Sequence, residues 1–474
     1  MKLLCSIAGV ALAVAAAVLP SAAAAQASPS AYTSATRYDA MGRVTGTIAP
    51  DPDGAGVLKY AATRTTYDVR GNAIKVETGE LAAWQSEAVA PASWTGFSIL
   101  TTAETTYDAL NRKLTDILRG TDLVTVSLTQ YSYDLAGRLE CTAVRMNPAI
   151  YDSLPASACT LGTAGTDGPD RITRTVYDAA GQVVQVRRAV GTSIEIADVT
   201  NSYTPNGKLE YVIDANGNRA KLEYDGFDRQ VKWIFPSTTR PGAFNPSTQA
   251  TALASAGSLN TGDYEQYTYD ANGNRLSLRK RDGQVISYVY DSLNRVVRKG
   301  GPAVADVDYT YDLRGLQLSA TFLTGGLGVT YAYDGFGRLV SETQNTDGVS
   351  RTVSSQYDLD GNRTRVTHPD GRYFQFDYDG ADRVTALRQA ATALGNVSYN
   401  TRGLPSQLAW SYLAATANTR SFGYDTIGRL SALGFDLNNT SSDVSWSYTR
   451  NPASQIASET QSNDAYSWNG YVAL

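Results

Sequence analysis

Along most of the chain, apolar and aromatic residues recur at a spacing of two and then stop at a short polar stretch. Tyr288 and Tyr290 share one face of such a run, as do Tyr309 with Tyr311, Tyr331 with Tyr333, and Phe376 with Tyr378. A period of two is that of a β-strand. A second short run follows each polar stretch, as in Arg338-Leu339-Val340-Ser341. The pattern predicts β-hairpins, each made of two strands joined by a tight turn.

The polar stretch is a repeat. It opens on Tyr38-Asp39, Tyr67-Asp68, Tyr107-Asp108, Tyr133-Asp134, Tyr177-Asp178, Tyr224-Asp225 and Tyr269-Asp270. It returns at Tyr290-Asp291, Tyr311-Asp312, Tyr333-Asp334, Tyr357-Asp358, Tyr378-Asp379 and Tyr424-Asp425. Weaker copies without the Asp are read at Tyr203, Tyr399 and Tyr448. The consensus is Tyr-Asp-x-x-Gly-(Arg/Asn). An Asp at the head of a turn accepts hydrogen bonds from the turn's own amides. The fifth residue is Gly42, Gly71, Gly137, Gly181, Gly273, Gly315, Gly337, Gly361 or Gly428, and otherwise Asn111, Asn294, Asp228 or Asp382. Those residue types best tolerate a positive φ, so the position is a backbone requirement and not a chemical one.

A lone hairpin is marginal in water. Hairpins set side by side bury the Tyr-bearing faces as cross-strand ladders, each aromatic pair contributing roughly 0.2–1 kcal/mol. The expected fold class is therefore all-β, an array of hairpins forming one long sheet. The Arg after the turn glycine has two readings, a guanidinium stacked on a neighbouring Tyr or a solvated charge at the sheet's edge.

Three insertions break the period, near 79–100, 141–172 and 236–262. The first carries Trp84 and Trp94, and the third, rich in Pro, Ser, Thr and Ala, reads as a mobile loop or linker. The second is flanked by Cys141 and Cys159. The expected organisation is a leader at 1–25, a short linker at 26–36, the array over 37–460 and a tail at 461–474.

The N-terminus supplies the compartment. Met1-Lys2 precedes an apolar run from Leu3 to about Leu19, and small residues lead to Ala25, where cleavage satisfies the small-x-small rule. The run is short for a membrane span and lacks a basic stop-transfer flank. Cys5 lies at the start of the apolar run and not after it, the wrong place for a lipoprotein. A secreted chain follows, in the periplasm, at the cell surface or outside the cell, with no membrane span after cleavage. Cys141 and Cys159 then remain in an oxidising compartment, where a disulfide between them is expected.

The net charge of −5 and the lack of a basic patch give no electrostatic case for nucleic-acid binding. The single histidine, His368, sits in the turn-like string His368-Pro369-Asp370-Gly371 and has no triad partners. The strings around Asp270 and Asp358 faintly resemble calcium loops, lack the distal glutamate, and are explained as turns. No paired carboxylates stand apart from the turn aspartates, and no phosphate loop of recognised spacing occurs. No catalytic, cofactor or metal site is expected.

The thirteen Tyr-Asp turns, four of them with a Gly-Arg tail, resemble the YD-repeat, or Rhs-type, proteins of bacteria, over roughly Arg37 to Glu459. Asp214-Ala-Asn-Gly-Asn-Arg219 and His368 to Arg372 are similar to the second half of that family's unit. The resemblance implies a sheet that spirals into a hollow shell, open or partial here, which encloses a toxin in longer members. Related repeats occur in animal cell-adhesion receptors. The family's Asp-Pro-x-Gly-Leu capping block and following toxin segment are not read before Leu474, so self-cleavage carries over to no residue here. The function implied is a non-enzymatic secreted or surface scaffold for toxin encapsulation, delivery or intercellular competition. Its partner would be a protein cargo or a second chain completing the shell. The alternative is an adhesion module whose exposed Tyr and Trp take cell-surface glycans.

Overall fold

A computed structural model describes residues 33–463, apart from 55, 303, 324–325, 411–417 and 438–439. The expected leader and most of the expected tail lie outside the described residues. No helix among the described residues is long and apolar enough to cross a membrane.

The described chain forms a single sheet of 32 strands. Every strand pairs antiparallel with the next one in sequence, from Ala35–Tyr38 against Val44–Ile48 to Val444–Arg450 against Ile456–Gln461. The sheet is a meander throughout and does not close, since its first and last strands are not paired with each other. A meander sorts its connections onto two rims. The Tyr-Asp turns join each odd strand to the following even one, so they all lie along one rim. The connections between hairpins, including the three insertions, lie along the opposite rim.

The turn chemistry dictates this geometry. At Asp334, the backbone N–H of Gly337 donates to the Asp334 carbonyl (3.1 Å), and the N–H of Asp334 donates to the Arg338 carbonyl (3.0 Å). The pairing register then slips by one residue between Ala332 and Tyr333, the mark of a three-residue turn closed by a bulge. The bulge requires a left-handed residue. The fifth position of every Tyr-Asp copy has φ between 59° and 96°, whether Gly, Asn111, Asn294, Asp228 or Asp382.

With one sheet and no second sheet among the described residues, burial is concentrated where the insertions cover it, although Tyr267 and Ala386 are buried elsewhere. The first insertion carries a turn of 3-10 helix, Pro91–Ser93, and packs Trp94 against Ile48, Ala62 and Leu81. The second covers Cys141, Ala143 and Ile172. Each Ile or Leu buried there contributes roughly 1.5–3 kcal/mol. The third insertion differs from the mobile linker read in the sequence. It contains the helix Gln249–Ser255, begun by a Thr248–Thr251 capping box, and buries Ala252. Its Pro246 carbonyl accepts from Gln185 and Arg187, and Gln249 donates to the Asn201 carbonyl (2.7 Å). The stretch is a docked cover.

Candidate functional site: the hairpin wall and its seam

The Tyr-Asp-Arg unit ties each hairpin to the next. Asp334 Oδ1 accepts from the amides of Phe336 and Arg338 (2.9 Å each), and Oδ2 accepts from Arg338 Nε (2.7 Å). The same guanidinium reaches forward. Its Nη1 donates to the Asp358 carbonyl (2.8 Å), and its carbon lies 4.8 Å from the Tyr357 ring centroid. The Tyr357 hydroxyl closes the loop by donating backward to the Leu339 carbonyl (2.8 Å).

The pattern recurs. Arg43 stacks on Tyr67, Arg112 on Tyr133, Arg138 on Tyr177, Arg229 on Tyr269 and Arg295 on Tyr311. The hydroxyls of Tyr67, Tyr107, Tyr177, Tyr224, Tyr269 and Tyr290 donate to a carbonyl of the preceding hairpin. So do those of Tyr311, Tyr333, Tyr378 and Tyr424. Of the two readings of the arginine, the structure shows the stacked one. Tyr38, on the first described hairpin, is 62% exposed.

Turn hydrogen bonds hold most of these aspartates as anions. For Asp39, Asp108, Asp134, Asp291 and Asp334, the backbone N–H four residues on is the main cause lowering the carboxyl below its ordinary value. Asp68 and Asp270 are lowered chiefly by the side chains of Asn72 and Asn274. Asp225, Asp312, Asp379 and Asp425 each accept from the amide four residues on, at 2.8–3.0 Å. Asp178 and Asp358 do the same with Gln182 and Asn362 (2.8 Å each). The calcium-like strings thus spend their leading carboxylates on their own turns. His368 heads another such turn, its N–H donating to the Arg372 carbonyl (2.8 Å), with its ring edge-on to Phe374. Among the described residues, no three His, Cys, Asp or Glu side chains are grouped to hold a metal ion.

The last weak copy is placed differently from the sequence reading at Tyr448. The turn there begins at Asn451, whose Oδ1 accepts from Gln455 N (3.0 Å), and Ser454 takes the left-handed position at φ 63°. Arg450, not Tyr448, stands where the tyrosine belongs, and its Nε donates to the Leu430 carbonyl as a tyrosine hydroxyl would. Tyr448 lies two residues earlier, on the same face.

Cys141 and Cys159 are disulfide-bonded, with Cα atoms 5.2 Å apart. Beside them is a buried ion pair that composition and spacing gave no sign of. Arg145, fully buried, donates to Asp170 Oδ2 (2.5 Å), to Gln130 Oε1 (3.0 Å) and to the Thr160 carbonyl (2.8 Å). Asp170 also accepts from the amides of Met146 and Gly162. Tyr151 donates to the Arg145 carbonyl, and burial pushes its phenol up to about 12.

The two faces of the sheet exchange character along the chain. The residue two before the tyrosine shares its face. It is mostly polar in the early hairpins, as at Thr36, Thr65, Thr105, Thr175 and Asn201, with Tyr131 the exception. From Leu222 onward it becomes mostly aromatic or aliphatic, as at Tyr267, Tyr288, Tyr309, Tyr331, Phe376 and Phe422. Cross-strand partners reinforce the change. Tyr267 pairs with Leu278, Tyr309 with Ala320, Phe376 with Leu387 and Phe422 with Leu433. The other face runs oppositely. Its early part is apolar and lies beneath the insertions, while its later part carries hydroxyl pairs such as Thr310–Ser319 and Thr343–Thr352. Trp94, 6% exposed, and Trp84, edge-on to Tyr60, are spent on the covered side and do not form the open platform expected of them.

The strip coils until its own rims meet. Turns at Asp379, Asn400 and Asp425 lie against the opposite rim of the first hairpins. Gly380 N donates to the Pro52 carbonyl (2.9 Å), and Arg402 donates to Thr101 Oγ1 (2.7 Å), the Leu100 carbonyl (2.8 Å) and the Thr426 carbonyl. A Cβ on Gly120 would lie 2.4 Å from Thr426 Oγ1, so this close approach requires glycine. Burial lowers the Arg402 pKa. Beside the seam lies a cleft of about 500 Å³ bordered by Leu58, Leu404 and Ile427.

The family model described as Teneurin YD-shell matches residues 249–349 and 326–455. No curated protein matches the chain. Among solved structures, TcdB2-TccC3 aligns at 16% identity over 91% of this chain and 26% of its own, with a TM-score of 0.39. The Photorhabdus luminescens Tc holotoxin pore aligns at 12% identity over 90% of this chain and 27% of its own, with a TM-score of 0.44. The chain therefore spans about a quarter of the length of these two solved chains.

Proposed function

Since this chain is a YD-repeat protein, we propose that it is a non-catalytic secreted or surface-displayed wall segment whose work is to enclose a protein cargo, a toxin in the reading its family suggests. One observation carries this. From Leu222 onward the sheet presents an aromatic and aliphatic face, with Tyr288, Tyr309, Tyr331, Phe376 and Phe422 half-buried on it and no second sheet among the described residues laid over them. Uncovered apolar faces of that extent mark interaction surfaces. A polypeptide with exposed apolar side chains is the occupant such a wall suits, and a second chain would complete the enclosure.

The test offers the purified chain a reduced, carboxymethylated protein as a non-native polypeptide and follows its digestion by a protease. The wall protects it, and Tyr309→Lys with Phe376→Lys abolishes protection while the far-ultraviolet circular dichroism stays that of a β-sheet. Digestion at the free rate in the presence of the intact wall overturns the reading.

A second reading, adhesion to glycans, has one observation in its favour. Trp233 and Phe235 stack at 5.1 Å and 16°, and Trp233 is 39% exposed. Aromatic faces of this kind suit sugar rings. A glycan array in which Trp233→Ala removes binding would favour it, and an array without signal rejects it.

A further inference from the structure

The rim that carries the Tyr-Asp turns has two parts. The last part is already occupied, since the turns at Asp379, Asn400 and Asp425 sit on the opposite rim of the first hairpins. At their tips stand Gly380, Thr401 and Thr426, followed by Ala381, Arg402 and Ile427, and Ile427 is half-buried there. The earlier part is free, and its tips are of another kind. Turns are ordinarily polar, yet Val69, Leu135, Leu313 and Leu359 occupy the first tip position and are fully exposed. Phe227 and Phe336 occupy the second, at 81% and 86% exposed.

Scattered exposed apolar residues need no explanation, but these recur at one place in the repeat and so fall in a row. The opposite rim is complementary. Away from the seam, its connections expose Ile194, Leu323 and Val349.

We infer that the free rim is a stacking surface for a second copy of this chain, rim to opposite rim, continuing the contact that the coil already makes with itself. The geometry sets the mode of assembly. The two rims are different surfaces, so the contact is head-to-tail and leaves one rim of each kind unsatisfied at the ends. Such contacts grow into open stacks and do not stop at a two-fold dimer. The docked turns show what the joint looks like: backbone of a tip on backbone of a connection, as at Gly380 and Pro52, with apolar side chains beside it. The assembly holds whether or not the wall encloses a cargo.

Sedimentation velocity of the purified chain over a concentration series tests this. The expected result is a mass that climbs past the dimer as concentration rises. Leu135→Asp, Leu313→Asp and Leu359→Asp together leave every pairing of the sheet intact, because these side chains touch only solvent, and should hold the chain as a monomer. Ile194→Asp with Leu323→Asp should do the same from the other rim. Mixed, the two variants each retain the rim the other lacks and should give a one-to-one pair that grows no further. A monomer at every concentration, association that stops at a symmetric dimer, or tip variants that associate like the parent chain would each overturn the inference.

Discussion

Arg338 holds Tyr357 on the next hairpin by two contacts at once, its guanidinium 4.8 Å over the ring while Nη1 bonds the carbonyl of the adjoining Asp358. The planar, forked head makes both possible, and a lysine ammonium cannot reproduce them. Arg338→Lys is therefore expected to weaken this joint by roughly 1–2 kcal/mol, and Tyr357→Phe, which removes the hydroxyl bond to Leu339, by about 1 kcal/mol. Because each hairpin touches chiefly its neighbours, the loss is local. Hydrogen exchange should quicken in Ser350–Tyr357 and leave the hairpin at Tyr67 unchanged; uniform quickening would contradict this account.

The fifth turn position separates backbone need from chemistry. Gly337 has φ 83°, and alanine there pays the left-handed penalty of roughly 1–2 kcal/mol. Asn294 already sits at φ 61°, so Asn294→Gly is expected to leave stability within a few tenths of a kcal/mol. Chemical denaturation of the two variants side by side measures the contrast.

These turns were the most legible part of the chain, because a positive φ restricts the residue choice so narrowly that the pattern shows in one sequence. The strands were legible through their period of two. The misplacement at Tyr448 has a physical cause. Arg450 reaches the Leu430 carbonyl as a tyrosine does, so the function persisted while the letter changed. The alignment of Asn451 and Ser454 with Asp and Gly was the available signal. The helix Gln249–Ser255 was hidden by a Pro- and Ser-rich setting, although Thr248 and Thr251 form its cap. The seam left no local trace, since Arg402 and Thr101 lie 301 residues apart. The apolar tips were in plain view as Leu, Phe and Val at turn positions, but turn grammar alone does not say which side chains end up uncovered.

The second insertion has two independent anchors of unequal strength. Arg145→Met strands Asp170 in a buried site and is expected to cost roughly 3–5 kcal/mol. Replacing Cys141 and Cys159 by Ala removes a crosslink worth roughly 2–4 kcal/mol. Reducing agent should lower the melting temperature without releasing the insertion from Gln130. Retained protection against protease within 145–170 after reduction would bear this out, and cleavage there would show the disulfide to be the main anchor.

Acid should loosen the array from its turns. The carboxyls of Asp39, Asp108, Asp134, Asp291 and Asp334 lie lower in the folded chain than their ordinary value near 3.8. A depressed carboxyl stabilises the fold fully above its unfolded pKa and loses that contribution as pH falls through the folded one. Stability is therefore expected to be flat in this respect from neutral pH to about 5 and to fall as pH drops below about 4. Urea titrations at stepped pH check it. A decline already complete at pH 5 would point to other groups.

A sheet in which every strand pairs with its sequence neighbour can be laid down in the order the chain emerges. No hairpin waits for a distant partner, so nearly every contact closes a short loop, and such topologies fold quickly and in steps that propagate from any start. The seam alone spans hundreds of residues and closes last. Until then the chain is an open ribbon, and a cargo of the proposed kind would be taken in sideways as the ribbon lengthens, without threading through an aperture in a finished wall.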